Sequence, residues 1–353
     1  MTDAKAKGGS RSRRIRAMLW TVVVIVAGSM LLPFAGFLYT AVVQADDAAV
    51  VNPRSETWRE ARDGVGGRTT VTGQETDVLI QSGGEVWRQV RNGPVLTIGA
   101  IMVVGMLLAL AVFHLRQGGA KLEHRTGKTV LRWPAFDRVL HWYTAVLFIV
   151  LAVTGLSLLW GRVFIDLFDS DGFKAAFAAW AGVAKILHDY LALLFAVGLA
   201  VMLLKWFKHN LFEAHDKVWF KHGGGYFDGS HPPAGFCNGG EKVYYWVLVF
   251  GGAAIVISGF FLLFPNLGFE RSTMQVANVV HGISSLLVIT AVCAHIYLGT
   301  LGSEGALEGM VSGEVDEGWA KQHHNLWLEE VKKQGEAPAR EGSAPGTSAT
   351  ASA

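Results

Sequence analysis

Four histidines sit inside apolar stretches of this chain: His141, His188, His281 and His295. Imidazole holds transition metals at neutral pH through whichever ring nitrogen carries no proton. His281 and His295 share one uncharged run, Ala277–Leu301, and stand fourteen residues apart. At 3.6 residues per turn that is almost four whole turns, so both rings leave the same helix face, about 21 Å apart along the axis. His141 and His188 occupy one further apolar run each. Four imidazoles on three apolar helices make two axial pairs. Two such pairs stacked across a bilayer would ligate two haem b groups and form a path for electrons. The competing reading of one membrane histidine is a hydrogen-bonded interior side chain; four, two of them on one face, point to function.

The elements that must carry these rings are membrane helices. Of 353 residues, 51% are hydrophobic and only 17% are charged, against about 25% charged in an ordinary soluble domain. Six apolar runs approach the roughly 20 residues a spanning helix needs. They are Ala17–Val43, Pro94–Leu115, Val139–Gly161, Leu187–Leu204, Val243–Pro265 and Ala277–Leu301. The expected fold is an all-α membrane protein. Net charge of +2 gives no strong affinity for polyanions, so no nucleic-acid partner is expected. Cys237 and Cys293 form no C-x-x-C pair, so this chain alone is not expected to hold an iron–sulfur cluster.

Orientation follows from lysine and arginine bias. Residues 1–16 carry six basic residues and one acid, and loop 116–138 carries six against two, so both are expected inside. The polar, slightly acidic 44–93 stretch and the balanced 162–186 stretch fall outside. Loop 205–242 and the tail then fall inside, with both termini cytoplasmic. This topology assigns depths: His188 and His281 near the outer face, His141 and His295 near the inner face. Depth thus pairs His188 with His281 and His141 with His295. His114, at the end of the second span, competes for the inner pair, while the loop and tail histidines, including His323 and His324, read as solvated.

Small residues beside a haem slot let a flat ring approach the backbone; Gly155, Gly198, Gly259 and Gly282 are candidates, although glycine is common in membrane helices. The first run has two readings, a retained anchor or a cleaved secretory signal ending near Val43-Gln44-Ala45. The expected organisation is 1–45 as basic start plus anchor or signal, 46–93 as an extracytoplasmic segment, and 94–129 as an extra span with its basic loop. Residues 336–353 have a composition that predicts disorder. The segment Cys237-Asn238-Gly239-Gly240-Glu241-Lys242 opens the fifth span. Asparagine and two glycines before a helix make an ordinary N-terminal entry. The functional reading is a polar pocket where backbone passes close to a ligand.

The stretch Phe136-Asp137-Arg138-Val139-Leu140-His141-Trp142 with Thr154-Gly155 resembles the opening of the cytochrome b (gamma) subunit of membrane-bound formate dehydrogenases. So do Asn238-Gly239-Gly240-Glu241-Lys242, the paired histidines of the last span, and Gly318-Trp319-Ala320-Lys321-Gln322-His323-His324 with Trp327. The similarity covers roughly 130–335, and it implies that these residues form a four-helix haem-binding transmembrane bundle, the di-haem domain, with one or two extra N-terminal transmembrane helices before it. It implies two haem b groups, with His188 and His281 as outer ligands and His141 and His295 as inner ones. It also implies a menaquinone or ubiquinone pocket at Asn238, Gly240 and His295. The implied partners are a catalytic alpha subunit and an iron–sulfur beta subunit that carry the formate chemistry, since no formate-oxidising site is legible here. The implied location is the bacterial inner membrane, with lipid around the helices. A histidine-bearing span alone is shared with the cytochromes b of hydrogenases and thiosulfate or polysulfide reductases, which remain the alternative. A transporter or structural membrane anchor is the non-redox alternative.

Overall fold

The computed structural model describes residues 82–226 and 228–335. The first apolar run Ala17–Val43, the signal-or-anchor question, most of the 46–93 segment and the 336–353 tail lie outside these residues. Among the described residues, five helices are long and apolar enough to cross a membrane. Helix α1 (Ser82–Val90) passes through a π turn (Arg91–Val95) into α2 (Leu96–Gln117). Then come α3 (Ala135–Leu167), α4 (Asp171–Trp206), the short α5 (Ala214–Lys221), α6 (Gly239–Leu263) and α7 (Arg271–Tyr297). The last described helices are α8 (Ala306–Val311), α9 (Glu317–His323) and α10 (Asn325–Lys333). One strand pair, β1 (Thr129–Leu131) with β2 (Glu314–Asp316), is antiparallel. The chain is an all-α, multi-pass membrane protein.

The helices outrun the apolar runs that predict them. Helix α4 starts sixteen residues before Leu187, and α3 and α4 have 33 and 36 residues, about 50 Å each. That exceeds a hydrocarbon core of about 30 Å. Charged residues mark where lipid ends, not where helix ends. The i,i+4 pair Arg162–Asp166 sits on the extension of α3, and Lys185–Asp189 straddles the point where the apolar run of α4 opens. The 162–186 stretch is therefore helical except around Phe168–Ser170, where Ser170 Oγ accepts from Phe173 N at the start of α4. Helix α1 likewise begins twelve residues before Pro94; proline cannot donate to the ladder, and the backbone passes it as a π turn.

Contacts group the chain into two compact units. One comprises 82–109, Leu147–Ala196 and Gly251–Thr290. Its buried side chains include Val103, Trp160, Ala184, Phe195, Leu286 and Val288. Trp87 Nε1 donates to Asn278 Oδ1 (3.2 Å), tying α1 to the start of α7.

The other unit comprises Leu110–Val146, Val197–Phe250 and 291–335. Here the start of α3 is fixed by buried Asp137, which accepts from Trp206 Nε1 (2.6 Å) and faces Lys205 Nζ (3.5 Å). Strand β1 pairs Val130 with Val315, bringing the tail helices onto a core of Val130, Val315, Trp319, Ala320, Trp327 and Leu328. Arg132 is buried among the rings of Trp133, Phe236, Trp319 and Trp327 at 4.9–5.7 Å. This corrects the reading of His323 and His324 as solvated: His324 is 1% exposed with its Nδ1 donating to Gly235 O (2.9 Å), and His323 is half-buried with its Nε2 enclosed. A polar tail sequence hid this because its tryptophans, not a long apolar run, form the core.

Candidate haem and quinone sites

Within the first unit, His188 on α4 and His281 on α7 face one another with ring centroids 6.2 Å apart and planes at 78°. Each ring lies against a hydroxyl residue followed by glycine on a neighbouring helix. On α3 these are Thr154 and Gly155; on α6 they are Ser258 and Gly259. Thr154 Oγ1 donates to Val150 O (2.8 Å) within its own helix, so its oxygen accepts from His188 Nδ1 (3.0 Å). Ser258 bonds Ala254 O in the same way and lies 3.2 Å from His281 Nδ1. His281 Nδ1 also reaches Ile255 O (3.1 Å). A carbonyl only accepts, so this Nδ1 carries the proton and Nε2 is the bare nitrogen. The glycines give the rings room: a Cβ on Gly155 would lie 2.9 Å from His188 Cε1, and one on Gly259 3.2 Å from His281 Cε1. Of the other two candidate glycines, Gly198 packs against Tyr143 and Thr144, and Gly282 against Val95.

Within the second unit, His141 on α3 and His295 on α7 face one another, also with centroids 6.2 Å apart and with planes at 56°. Their support differs. His295 stacks flat on Tyr244 of α6 (4.4 Å, 2°), while Trp142 stands edge-on to His141 (5.1 Å). Among the described residues, the buried His141 Nδ1 has no hydrogen-bond partner. His114, the competitor, is engaged elsewhere: its Nδ1 lies 3.1 Å from the Tyr297 hydroxyl.

The spacing fits one metal between each pair. Two bonds of about 2 Å, plus roughly 1 Å from each nitrogen to its ring centre, put the centroids about 6 Å apart. Among the described residues no group of three or more His, Cys, Asp or Glu side chains gathers as a metal site. A metal held by either pair would take two protein ligands, and its remaining ligands would come from a macrocycle, as in haem.

Asn238 caps α6. Its Oδ1 accepts from Glu241 N (3.0 Å), and Glu241 Oε2 accepts from Asn238 N (2.9 Å), a reciprocal capping box. Glu241 Oε1 lies 3.5 Å from Arg132 Nη2, so the tryptophan-held arginine steadies the cap. The next residue, Lys242, is 1% exposed and bonds Asp216 Oδ2 (2.8 Å). The cap leaves the Asn238 amide nitrogen to other uses, and Asn238 lines a cavity of about 310 Å³ with Trp219, Tyr226, Gln322 and His323. Gly240 and His295 are not among its lining residues: a Cβ on Gly240 would meet Trp219 at 2.8 Å. Burial pushes the Tyr226 hydroxyl up to about 12 and His323 down to about 4, so both are neutral at pH 7.

Sequence reasoning missed Thr154, Ser258 and Tyr244 as supports of the rings. The repeated hydroxyl–glycine dipeptide in two apolar helices was the available signal for the first two.

The family model for prokaryotic cytochrome b561 matches residues 132–313. Among curated proteins, the formate dehydrogenase cytochrome b556(fdo) subunit of Escherichia coli (strain K12) is 28% identical over 208 residues, 58% of this chain and 94% of that protein. The nitrate-inducible formate dehydrogenase cytochrome b556(Fdn) subunit of the same strain is 24% identical over 211 residues, 58% and 93% of the two chains. The formate dehydrogenase cytochrome b556 subunit of Haemophilus influenzae is 23% identical over 216 residues, 60% and 87%.

Proposed function

Because this chain belongs to the prokaryotic cytochrome b561 family, a family of membrane electron transfer with haem b, we propose that it is the membrane cytochrome b subunit of a formate dehydrogenase. It passes electrons from formate oxidation, carried out by a catalytic and an iron–sulfur partner subunit, to quinone. It sits in the bacterial inner membrane with both termini cytoplasmic. The four helices of residues 130–335 form the domain that holds two b haems.

His188 with His281 would hold the outer haem, and His141 with His295 the inner one. Bound haem b supplies a reversible one-electron centre. The protein's own groups orient the rings: Thr154, Ser258 and Ile255 O keep the proton on Nδ1, so Nε2 would be the nitrogen that holds iron. Tyr244 fixes the plane of His295 by stacking. Near the inner pair, the amide nitrogen of Asn238 would donate to a quinone carbonyl. Gly240 lets Trp219 approach that helix start. Protons for the reduced quinone would come from the inner side, so charge separates across the membrane.

The observation that carries this reading is the pair of opposed imidazole couples, each at 6.2 Å. The test is to isolate the chain with its native partners from membranes. Formate should reduce the b-type spectrum, and added menaquinone or ubiquinone should reoxidise it. Copurified subunits that oxidise hydrogen, or that react with thiosulfate or polysulfide, and leave the spectrum unchanged with formate would overturn the donor assignment.

A further inference from the structure

The cavity that Asn238 lines has a second wall that the family match does not contain. It is the C-terminal end of α2 and the turn after it, including Phe113, Gln117, Gly118 and Lys121. These residues precede 132, where the match begins. Three sets of contacts brace this wall. His114 Nδ1 lies 3.1 Å from the Tyr297 hydroxyl. The Phe113 ring stands edge-on to Tyr226 (6.4 Å) and to Tyr297 (6.3 Å). Ala120 donates to Gly302 O (2.8 Å) and accepts from Glu304 N (2.9 Å), which ties the turn to the chain after α7.

A ligand site for a flat ring with two carbonyls needs apolar faces and a few placed donors. Here Trp219 and Phe113 are the aromatic walls, and Asn238 brings the amide. We infer that Phe113 is a specificity-determining residue for the quinone headgroup and that the extra N-terminal helix is part of the quinone site. This rests on the quinone reading above. Because the helix end is braced at His114 and Ala120, Phe113 is a fixed limit, and its size decides how well one-ring and two-ring headgroups are told apart.

The test uses the full haem-loaded chain in detergent and two probes, menadione and decyl-ubiquinone. Equilibrium binding is read by quenching of tryptophan fluorescence, since Trp219 lines the cavity. Phe113→Ala should change the ratio of the two dissociation constants by about tenfold or more, the scale on which apolar pockets discriminate by size. Phe113→Leu should change it less, and the b-type spectrum should be retained in both. Asn238→Ala should weaken both probes together. If the Phe113 variants keep the native ratio while Asn238→Ala weakens binding, the wall inference fails and the quinone reading stands. If Asn238→Ala also changes nothing, the quinone reading fails and takes this inference with it. Should Phe113→Ala lose haem, the ratio measured on Phe113→Leu decides.

Discussion

Gly155→Ala tests how tightly the His188 ring is seated. The new Cβ would lie 2.9 Å from His188 Cε1. Carbon atoms sit best at about 3.5–4.0 Å, so the ring or the helix must move by about 0.6–1.1 Å. The ring is not free to swing, because Nδ1 is bonded to Thr154, the residue next to the substitution. Metal–ligand distances hold to about 0.2 Å, so the displacement is at least three times what one bond to iron absorbs. Gly259→Ala is the internal comparison: its Cβ would meet His281 Cε1 at 3.2 Å, requiring only about 0.3 Å of give to reach 3.5 Å. Haem per chain, measured as the pyridine haemochrome, should fall from two toward one in Gly155→Ala and stay closer to two in Gly259→Ala. A redox titration should show the surviving component of Gly155→Ala unchanged in potential. Two haems with native potentials in Gly155→Ala, or loss of the component that His295→Ala removes, would refute the reasoning.

Thr154→Val keeps the volume and removes the acceptor for His188 Nδ1. Haem affinity of that pair should fall about 10–100-fold, with Thr154→Ser close to native, as read by haem retention during dilution; equal retention in both variants would contradict the role. The tail cluster should be pH-sensitive. His323 is held down to about 4 by burial, with His231 and Arg132 adding to it, and His324 well below its ordinary 6.5 by burial and Arg132. The unfolded segment takes up protons as pH falls below 6.5 while the folded one does not. Its contribution to stability is therefore complete above 6.5 and is lost as pH falls toward 4. Proteolysis of the 306–335 segment should accelerate between pH 7 and pH 4.5; a flat profile over that window would rule the effect out.

That His188 would face His281 and His141 would face His295 was legible because histidine is conspicuous in an apolar run and because charge bias gives an expected helix direction without coordinates. Helix lengths were not legible. The runs were chosen for little charge, and α4 begins well before Leu187 and passes through Lys174 and Lys185. Thr154 and Ser258 were invisible as supports because membrane hydroxyls ordinarily satisfy themselves on the preceding turn, as both also do here. Tyr244 reads as packing from sequence, since stacking on His295 depends on the register of α6 against α7. The Asn238 motif supported two readings. The capping box uses the Oδ1 and leaves the amide nitrogen, so the ordinary helix start and the ligand-facing role are compatible. His324 was misread because a short Trp-rich tail buries it without any long apolar segment.

The most direct measurement is haem stoichiometry with a potentiometric optical titration of the native chain and of His188→Ala, His281→Ala, His141→Ala and His295→Ala. Two components should appear in the native chain. His188→Ala and His281→Ala should each abolish one and the same component, and His141→Ala and His295→Ala the other. A colourless native protein, or a His188→Ala variant that loses the component missing in His295→Ala, would contradict the pairing on which the function rests.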